Sequence, residues 1–550
     1  MTEQVRIALA QLNPIVGDVS GNAARLTAVY AQARAEGADL LVTPELYLAG
    51  YPAEDLLLHP TFIREIAVEV ARLAVLTSGG TAMIVGVPWH EEGKLYNAAL
   101  LLEAGRIAGI SRKRDLPNYG VFDEKRVFAA GQGAQLFTWR GIKLGVPICE
   151  DIWTPGAVAS LRAAGAELVL VPNCSPYQSG KMQQRQDVTT ARARESGLPV
   201  VYVNLVGGQD ELVFDGASFV VAADGTVMAH AAAWQEDVLF LDFQKRGTGW
   251  HCVTQTQTDY TDDASALYAA MMLGLRDYAR KNGFTKALLG LSGGIDSALV
   301  AALAVDALGA ENVWGVMLPS PFTSQASLDD AGDVAVRLGI RYDKIDLVPA
   351  LKAFEAMMQP LFADHTADVT EENIQSRSRG VALMALSNKF GHLLLATGNK
   401  SELATGYATL YGDMCGGFAP LKDLYKTQVY EVAAWRNRAW PEGALGSEGV
   451  VIADTIMTKA PTAELRPNQR DSDTLPPYPQ LDGILRGLIE DHAGVEGLIA
   501  QGHDRDMVQR VQIMLARAEY KRRQGAPGVK LGSALFVRER RYPVTAGFKG

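Results

Sequence analysis

Short apolar runs, separated by longer stretches with helical spacing of apolar residues, occupy the first 243 positions of the chain. Runs of this length, bounded by turn residues, are typical of buried strands. We predict such strands at 5–9, 40–43, 83–87, 98–102, 143–148, 168–171, 200–204 and 218–222, with a hairpin turn at 224–226. The pattern therefore indicates an α/β domain whose sheet is largely buried.

A second α/β pattern begins near residue 264. A predicted helix at 264–282 is followed by a strand, a Gly-rich turn, an apolar helix and another strand, which together make a βαβ unit. The further elements predicted are strands at 287–291, 313–318, 342–345 and 393–396 and helices at 297–308, 328–338 and 381–390. Such units build parallel sheets, which bind ligands at the carboxyl ends of their strands.

Between the two patterns, residues 246–264 are rich in Gly, Thr, Gln and Asp and show no apolar periodicity. We predict a linker there. It would separate a domain at 1–245 from a second domain at 265–550.

Composition narrows the class of protein. The 550 residues are 48% hydrophobic and 21% charged, which is typical of a globular chain with at least two domains. The formal net charge of −10 disfavours nucleic acid as a partner. The most apolar segment, 298–310, is too short to span a membrane, and the first residues do not have the pattern of an export leader. We therefore expect a cytoplasmic protein with neither a membrane nor a nucleic acid as partner.

Cysteine usage agrees with that compartment. The four cysteines, Cys149, Cys174, Cys252 and Cys415, are scattered without paired spacing or a neighbouring His/Cys cluster. This usage predicts a reducing environment without a disulfide frame or a zinc site.

A Gly-rich loop, Ser-Gly-Gly-Ile-Asp-Ser at 292–297, lies between a predicted strand and a predicted helix. Backbone N–H groups and the helix dipole can hold a phosphate there. Because a carboxylate repels an anion, Asp296 implies a Mg²⁺ ion between its carboxylate and the phosphate. For a Gly pair alone, the alternative is a plain turn that caps the helix. The loop lacks the Gly-Lys-Ser/Thr ending of a Walker loop, which disfavours γ-phosphate hydrolysis.

The complete loop resembles the pyrophosphate loop of the N-type ATP pyrophosphatases, which split ATP into AMP and pyrophosphate while adenylating a substrate. Further segments resemble the NAD synthetase family, and the match covers nearly all of 265–550. They lie at 372–377, 397–402, 411–413, 420–428, 461–465 and 519–522. This resemblance implies a doubly wound parallel sheet of the adenine nucleotide alpha-hydrolase-like class.

The same resemblance implies the ligands of the second domain. ATP would be bound by Gly290, Leu291, Ser292, Gly293, Gly294, Ile295, Asp296, Ser297, Thr397, Lys426 and Thr462. Nicotinic acid adenine dinucleotide (deamido-NAD) would be bound by Asn373, Arg377, Glu402 and Lys521, and Mg²⁺ by Asp296 and Glu402. Taken singly, Thr397 could merely cap a helix, and Lys426 or Lys521 could be a solvated charge.

A long polar stretch flanked by prolines, 466–478, is predicted to be a surface loop. Such a loop can close over a reaction that must exclude water, as an acyl-adenylate intermediate requires. Composition alone favours disorder equally.

In the first domain, Cys149 follows the predicted strand 143–148, Glu45 follows 40–43, and Lys113 lies in a polar loop. A lone cysteine is usually a small buried hydrophobe. A nucleophilic thiol, however, needs a base, and the oxyanion that it forms needs cationic or N–H donors. Glu45 and Lys113 would meet these two needs.

These segments resemble the nitrilase superfamily, specifically its glutaminase branch, over about 1–240. The resemblance implies an αββα sandwich with Glu45 as general base and Cys149 as the nucleophile that forms a glutamyl thioester. Lys113 and the backbone N–H of Glu150 would stabilise the oxyanion. Glutamine would be bound by Tyr119, Ser175 and Lys181. Glu124 would be a supporting carboxylate, although its charged segment favours the alternative of a surface charge run. Cys174, with no evident base, would be structural.

Together the two resemblances imply that ammonia released at Cys149 attacks an adenylated carboxylate in the second domain. The substrates would be glutamine, ATP and deamido-NAD, and the family usually pairs through its synthetase domain, which implies a homo-oligomer. One rival is an amidotransferase that acts on another carboxylate, which the segments around Asn373 and Lys521 disfavour. The other is a non-catalytic nucleotide-binding regulator, which should lack one of Glu45, Lys113 and Cys149.

Overall fold

The computed structural model describes residues 3–256, 260–261 and 263–547. The chain divides into two compact units, Met1–Thr261 and Asp262–Gly550, and each is described by itself. Within the described ranges, no helix combines the length and the apolar character needed to cross a membrane.

The described residues of the first unit form two large sheets, one two-stranded sheet and four α-helices. Its strands are β1 Gln4–Gln11, β2 Leu40–Val42, β3 Ala82–Glu91, β4 Lys94–Glu103, β5 Arg106–Arg112, β6 Leu136–Trp139, β7 Ile142–Gly145, β8 Leu168–Pro172, β9 Val200–Val203, β10 Val206–Gln209, β11 Leu212–Asp215, β12 Phe219–Val221, β13 Val227–His230, β14 Asp237–Arg246 and β15 Gly249–Cys252. Its helices are α1 Val19–Ala35, α2 Pro60–Leu76, α3 Ala157–Ala163 and α4 Lys181–Ser196.

One large sheet has the order β15-β14-β1-β2-β3-β4-β5 and the other the order β13-β12-β9-β8-β7-β6, while β10 and β11 form the antiparallel two-stranded sheet. Parallel pairs join β1 to β2 and β2 to β3 in the first sheet, and β7 to β8 and β8 to β9 in the second. The remaining pairs within these two sheets are antiparallel. The predicted turn at 224–226 joins β12 to β13.

Helices cover the outer face of each sheet, while the inner faces share one core. Leu26 of α1 and Leu73 of α2 belong to a buried cluster with Val85 of β3. Leu161 of α3 and Ala193 of α4 pack in the same way against the second sheet. The first unit is therefore the predicted αββα sandwich.

The first sheet extends into the stretch predicted as a linker. β1 pairs along its length with β14, and β14 pairs with β15. Trp250 and Cys252, alternate residues of β15, are buried. The linker prediction is therefore wrong at 249–252, because so short an alternation is hidden among polar neighbours. Residues 257–259 and 262 of that stretch lie outside the described residues.

The second unit contains a four-stranded sheet and twelve helices among its described residues. Its strands are β16 Ala287–Gly290, β17 Val313–Met317, β18 Arg341–Lys344 and β19 Leu393–Leu395. Its helices are α5 Ala264–Lys281, α6 Ile295–Leu308, α7 Gln325–Leu338, α8 Val348–Phe362, α9 Val369–Phe390, α10 Lys400–Thr405, α11 Lys426–Arg438, α12 Asp454–Thr458, α13 Tyr478–Ile489, α14 Val495–Ala500, α15 Arg505–Arg517 and α16 Glu519–Arg522.

The sheet is parallel throughout, with the order β18-β17-β16-β19. α6 connects β16 to β17 and packs against both strands, while α9 packs against β16 and β19. This is the predicted doubly wound arrangement. It places the Gly-rich loop at the carboxyl end of a central strand, where parallel sheets bind ligands.

The predicted helix at 381–390 is only the second half of α9. Its first half is polar, so no apolar stripe marks it in the sequence. The Asp368 side chain caps the helix by accepting from the Thr370 N–H, and Glu371 completes a capping box. The capped first half of the helix contains Asn373 and Arg377.

Candidate active sites

In the first unit, three strand ends bring Glu45, Lys113 and Cys149 into one buried cluster. Glu45 follows β2, Lys113 follows β5 directly, and Cys149 follows β7. Glu45 and Lys113 are each 1% exposed and Cys149 is 5% exposed. Cys149 interacts electrostatically with both of the other side chains. The structure thus brings the three predicted catalytic residues together.

Lys113 lies between two carboxylates. Its Nζ donates to Glu45 Oε1 at 2.7 Å and to Glu124 Oε1 at 2.8 Å. Burial lowers the pKa of Lys113, but the two carboxylates outweigh burial and raise it well above its ordinary value. The ammonium is therefore charged, as the predicted role in stabilising an oxyanion requires.

Glu124 is a buried member of this cluster, so the alternative of a surface charge run is wrong. Its side chain accepts from Lys113 and, at 3.0 Å, from the Tyr51 hydroxyl. Burial raises the pKa of Glu124 to about 6, although Lys113 opposes the shift. Glu124 begins a short 3₁₀ helix, Glu124–Arg126, whose other charges gave the segment the look of a solvated surface.

Asn97 also holds the two carboxylates, although no role for it is predicted from the sequence. Its Nδ2 donates to Glu45 Oε1 at 2.7 Å and lies 3.4 Å from Glu124 Oε2. Asn97 lies on β4 next to β5, the strand that precedes Lys113. A lone asparagine inside an apolar strand is the one sequence signal that could have revealed it.

Cys149 is the first residue of the 3₁₀ helix Cys149–Ile152 and has a φ of +46°. This left-handed conformation is strained for a residue with a side chain, and such strain often occurs at functional sites. Burial and the Glu45 carboxylate raise the pKa of the thiol well above its ordinary value, against the opposing effect of Lys113. The resting thiol is therefore protonated and needs a base to react.

Asp151 fixes the turn that carries this thiol, which is a second role missed in the sequence. Its Oδ2 accepts from the Ile148 N–H at 2.9 Å. Its Oδ1 accepts from the N–H groups of Arg114 and Asp115 at 2.9 and 2.8 Å. Burial raises the pKa of Asp151 to about 6. One carboxylate thereby ties the nucleophile turn to the loop after Lys113.

The expectation that no base lies near Cys174 is wrong. Its backbone N–H donates to Glu45 Oε2 at 2.9 Å, and its thiol contacts the Glu45 carbonyl oxygen at 2.8 Å. Burial raises the pKa of the Cys174 thiol as well. The backbone of Cys174 thus orients the proposed base from the side opposite to Lys113 and Asn97.

The predicted glutamine-binding residues lie around this cluster. The Tyr119 hydroxyl is 2.9 Å from Glu150 Oε1, and Lys181 Nζ lies 4.1 Å from the centre of the Trp153 ring. Lys181 also interacts electrostatically with Glu150. Ser175 is buried next to Cys174.

In the second unit, the Gly-rich loop connects β16 to α6. Gly293 has a φ of +76°, and a Cβ at that position would lie 2.3 Å from the Ser327 carbonyl oxygen, so only glycine fits. The hydroxyls of Ser292 and Ser297 are 3.0 Å apart, and Ser297 also donates to the Gly294 carbonyl oxygen at 3.0 Å. The loop is therefore held in one shape at the start of a fourteen-residue helix.

This loop borders a cavity of about 280 Å³. Its lining includes most of the predicted ATP ligands, namely Gly290, Leu291, Ser292, Gly294, Ile295, Asp296, Ser297, Thr397, Lys426 and Thr462. Glu402 and Asp471 also line it. The side chains proposed for nucleotide and metal thus converge on one cleft.

For Thr397 and Lys426, the alternatives of a helix cap and a solvated charge are both wrong. The N-cap of α10 is Asn399 and not Thr397. Lys426 is not a solvated charge, since it is 2% exposed and its Nζ contacts Asp296 Oδ2 and, at 3.5 Å, Glu402 Oε1. Asn399 Nδ2 donates to Asp296 Oδ1 at 2.9 Å.

Carboxylates outnumber cations in the cleft. Burial and then the Asp296 charge raise the pKa of Glu402 to about 8, against the effect of Lys426. Burial likewise raises the pKa of Asp471. Within the part of the chain that the structure describes, no group of three or more His, Cys, Asp or Glu side chains is placed to hold a metal ion. A metal in this cleft would thus depend on few protein ligands.

Three of the four predicted deamido-NAD ligands border one turn, Gly406 to Asp413. Asn373 Oδ1 accepts from the Thr409 hydroxyl at 3.0 Å, and Arg377 Nε donates to the Leu410 carbonyl oxygen at 3.2 Å. Lys521 Nζ donates to the carbonyl oxygens of Gly406 and Ala408 at 2.8 and 2.6 Å. The alternative of a solvated charge for Lys521 is therefore wrong.

The polar stretch 466–478 contains the 3₁₀ helix Asp471–Asp473. Asp471 is buried and accepts from the Tyr478 hydroxyl at 2.8 Å. Thr462 Oγ1 reaches back to the Gln469 carbonyl oxygen at 2.6 Å. The stretch therefore contains regular structure, and its Asp471 lines the cleft.

Both halves of the chain match known families. The carbon-nitrogen hydrolase family matches residues 6–251, and the NAD synthase family matches residues 267–525. The chain is 49% identical over 547 residues to the glutamine-dependent NAD(+) synthetase of Rhodobacter capsulatus, with 99% of each chain covered. It is 43% identical over 584 residues to the Thermotoga maritima protein of the same name, with 100% of this chain and 99% of the other covered.

Solved structures agree. The glutamine-dependent NAD+ synthetase from Acinetobacter baumannii, in complex with adenosine diphosphate, matches with a TM-score of 0.79 and 42% identity over 99% of each chain. A glutamine-dependent NAD(+) synthetase from Cytophaga hutchinsonii matches with a TM-score of 0.83 at 22% identity, over 100% of this chain and 98% of the other, which supports the fold alone. Because the identity to the curated relatives extends over the whole length, the chain belongs to the family of glutamine-dependent NAD(+) synthetases.

Proposed function

We propose that the first unit hydrolyses glutamine at Cys149 and that the second unit uses the ammonia to amidate deamido-NAD after ATP has adenylated it. The products are NAD, AMP, pyrophosphate and glutamate. The buried cluster of Glu45, Lys113 and Cys149, in one chain with the Gly-rich loop of the ATP cleft, carries this proposal. A regulator without catalysis would not need these three side chains kept together out of water.

The contacts of the cluster support a role for each residue. Glu45 takes the thiol proton, and Cys149 Sγ attacks the amide carbon of glutamine. Lys113 and the backbone N–H of Glu150 stabilise the oxyanion. When the tetrahedral adduct collapses, Glu45 returns the proton to the leaving ammonia, and water then hydrolyses the glutamyl thioester to glutamate.

Charges near the thiol fit the two ends of an amino acid. Glu150 supplies a carboxylate for the α-ammonium, and Lys181 supplies a cation for the α-carboxylate. Tyr119 donates to Glu150, and Ser175 lies deeper. We assign these four side chains to glutamine recognition.

The cleft of the second unit fits ATP with a magnesium ion. Mg²⁺ is often held by one or two carboxylates together with substrate phosphates, and Asp296 and Glu402 supply that donor set. Such an ion would neutralise the phosphate charge that develops when pyrophosphate leaves. Meanwhile the N–H groups of the loop that ends at Ser297 hold the phosphates, and Lys426 adds a fixed positive charge.

The nicotinate end of deamido-NAD belongs beside the turn Gly406 to Asp413. Asn373, Arg377 and Lys521 all contact this turn, and Gly412 and Asp413 also line the cavity. The turn thus connects the proposed dinucleotide site to the ATP cleft. Binding there would bring the nicotinate carboxylate to the α-phosphate.

The decisive experiment is product analysis with purified protein, deamido-NAD, ATP, Mg²⁺ and glutamine. NAD, AMP, pyrophosphate and glutamate should appear together, and ammonium should replace glutamine as the nitrogen source. Release of ADP and phosphate instead of AMP and pyrophosphate would contradict the adenylation step. Formation of AMP with another carboxylate but not with deamido-NAD would identify a different amidotransferase.

We also propose that two copies pair through α8 and α9. Every residue of α8 is at least partly exposed, although the helix is mostly apolar. The exposed apolar side chains of the two helices include Phe354, Met357, Leu361, Val369, Val381, Met384 and Phe390. An apolar surface of this kind usually marks a protein interface, and a self-complementary patch gives a two-fold dimer.

Sedimentation analysis of Leu361→Asp tests this pairing. The wild-type chain should sediment as a dimer or a larger assembly, and the variant should shift towards monomer. Val336→Asp, at an 81% exposed position on α7, is the control and should not shift. A monomeric wild-type chain would contradict the proposal.

A cytoplasmic location completes the proposed function. All four cysteines are free thiols, as expected in a reducing compartment. Fractionation of the source cells, with the protein detected by antibody, tests this location.

A further inference from the structure

Arg185 on α4 and Asp215 on β11 form an ion pair inside the first unit. Their side chains are 1% and 0% exposed, and Arg185 Nη1 lies 2.7 and 2.8 Å from the two carboxylate oxygens. Burial of such a pair costs so much desolvation that a packed apolar pair is often equally stable. Stability therefore does not explain why an ion pair occupies this position. The other hydrogen bonds of Arg185 do explain it.

The remaining N–H groups of Arg185 hold the loop that follows β8. Nε donates to Ser175 Oγ at 3.1 Å. Nη2 donates to the carbonyl oxygens of Ser175 and Pro176, both at 2.9 Å. A guanidinium has five N–H groups, and the two contacts with Asp215 and these three engage them all. Arg185 therefore does not bind a substrate; it fixes the loop.

Asn204 holds the same loop from the other side. Its Oδ1 accepts from the Ser175 N–H at 3.0 Å, and its Nδ2 lies 3.3 Å from the Ser175 carbonyl oxygen. The N–H, the carbonyl and the hydroxyl oxygen of Ser175 are thus all held. Because Ser175 Oγ accepts from Arg185, the hydroxyl proton must point away from the guanidinium, where it can donate to the neighbouring Tyr202 hydroxyl or to a bound ligand.

The loop also reaches the catalytic cluster. Cys174, which directly precedes Ser175, donates its backbone N–H to Glu45 Oε2. The segment that Arg185 anchors therefore contains a contact to the proposed base and a residue assigned to glutamine recognition.

We propose that Arg185, neutralised by Asp215, is a positioning residue for glutamine: it fixes Ser175 so that the hydroxyl donates to the carboxylate of the bound substrate. This inference rests on the proposed glutaminase function of the first unit. Removal of the guanidinium fork should weaken glutamine binding more than it slows the chemical step, because Lys113 and Asn97 still hold Glu45.

The first test is glutaminase kinetics of Arg185→Lys in the full chain. The lysine keeps the charge next to Asp215 but loses the planar fork. The KM for glutamine should rise about tenfold, the loss expected for one hydrogen bond to a charged group. The kcat should stay within about threefold of wild type, and ammonium-dependent synthesis should not change.

Arg192→Lys is the matched control. Arg192 is also buried and lies on α4, but its Nη2 bonds to Glu195 at 2.9 Å instead of to the loop. The KM for glutamine should be unchanged in this variant. An equal KM in Arg185→Lys and Arg192→Lys would overturn the inference.

A double-mutant cycle with Ser175→Ala tests whether Arg185 acts through Ser175. If it does, the double variant should have a KM no higher than the worse single variant, since the same contact is lost once. Additive increases in KM would overturn the inference. If Arg185→Lys fails to fold, Asp215→Asn probes the same pair, and an unchanged KM there would overturn it too.

The glutaminase activity of the wild-type chain tests the proposed function independently of the variants. If the wild-type chain releases no glutamate from glutamine, the proposed function fails whatever the variants do. If the wild-type chain does so and Arg185→Lys behaves like the control, only the positioning role fails.

Discussion

Each candidate active site holds a buried lysine between two carboxylates, but the two clusters are built differently. Lys113 bonds to Glu45 and Glu124 at 2.7 and 2.8 Å, and the three side chains are at most 5% exposed. Lys426 contacts Asp296 and Glu402, whose side chains are 18% and 19% exposed. The second cluster opens into a cavity, whereas the first, called the sealed cluster below, is almost fully buried.

The difference follows from what each site must bind. In the sealed cluster, Asn97 and the backbone of Cys174 complete the hydrogen bonds of Glu45, so its geometry is set before the substrate arrives. In the open cluster, burial and then the neighbouring Asp296 charge raise the pKa of Glu402 to about 8, and carboxylates outnumber cations. A cation from solution would relieve that excess. A cluster whose hydrogen bonds are complete thus suits proton transfer. A cluster with an excess of carboxylates suits a metal ion and phosphates.

Cys149→Ala should separate the two sites most clearly. Glutamine-dependent NAD formation should fall by roughly 10³-fold or more, because no other group can form the thioester. Ammonium-dependent formation should persist, and Glu45→Ala and Lys113→Ala should show the same split. Both rates are measured as NAD produced under saturating deamido-NAD and ATP. NAD formation from glutamine by Cys149→Ala in ammonium-free buffer would show that the first unit is not the nitrogen source.

Asp296→Ala should produce the opposite split. Adenylation should fall by about 10²-fold or more, because the phosphates would lose the carboxylate that is proposed to anchor their cation. Release of glutamate should remain measurable, and Asp329→Ala, an exposed change on α7, should alter neither rate. Pyrophosphate release is the measurement for adenylation. Unchanged synthesis by Asp296→Ala at every magnesium concentration would refute the metal assignment.

Glu124→Gln should test whether the charge of Glu124 contributes to the activity of the sealed cluster. Since the pKa of Glu124 is about 6, the carboxylate is charged at pH 8 and becomes protonated as the pH falls through 6, which removes an anionic partner of Lys113. The kcat/KM for glutamine of the wild-type chain should therefore decrease as the pH is lowered through 6. The variant resembles the protonated form, so it should lose about tenfold at pH 8 and little at pH 5.

The pH profiles of wild type and variant carry this test. Glu54→Gln, an exposed change, should keep the wild-type profile. If kcat/KM of Glu124→Gln decreased at low pH as much as that of the wild type, the decrease would have to be assigned to another titrating group.

Lys521→Ala should have the smallest effect of the four. Loss of its bonds to Gly406 and Ala408 should loosen the turn that borders the dinucleotide site. The KM for deamido-NAD should rise about three- to tenfold, and the KM for ATP less. Arg523→Ala removes a neighbouring charge that bonds to Glu519 and serves as the control. Equal changes in both KM values would argue against a dinucleotide role.

The sequence predicted those site residues whose surrounding segment carries the signal. Glu45 and Cys149 each follow an apolar strand, and the Gly-rich loop is contiguous at 292–297. The strands and helices around them are continuous apolar runs, which local periodicity detects. The first half of α9 and the short strand β15 escaped prediction because neither shows such a pattern.

The residues that were missed act across long separations. Asp151 binds N–H groups 37 and 36 positions away, and Glu45 accepts from Cys174 over 129 positions. No window of sequence contains both partners. The same reason explains why Glu124, in a charged segment, was open to two interpretations.

The sequence by itself determined the two α/β folds, the three catalytic candidates of the first unit and the phosphate loop of the second. Only the tertiary structure decided that Glu124 is buried, that Asn399 and not Thr397 caps α10, and that Arg185 supports Ser175. Apolar periodicity and motifs are local properties of the chain. Burial, pKa and hydrogen bonding depend on which distant segments the fold brings together.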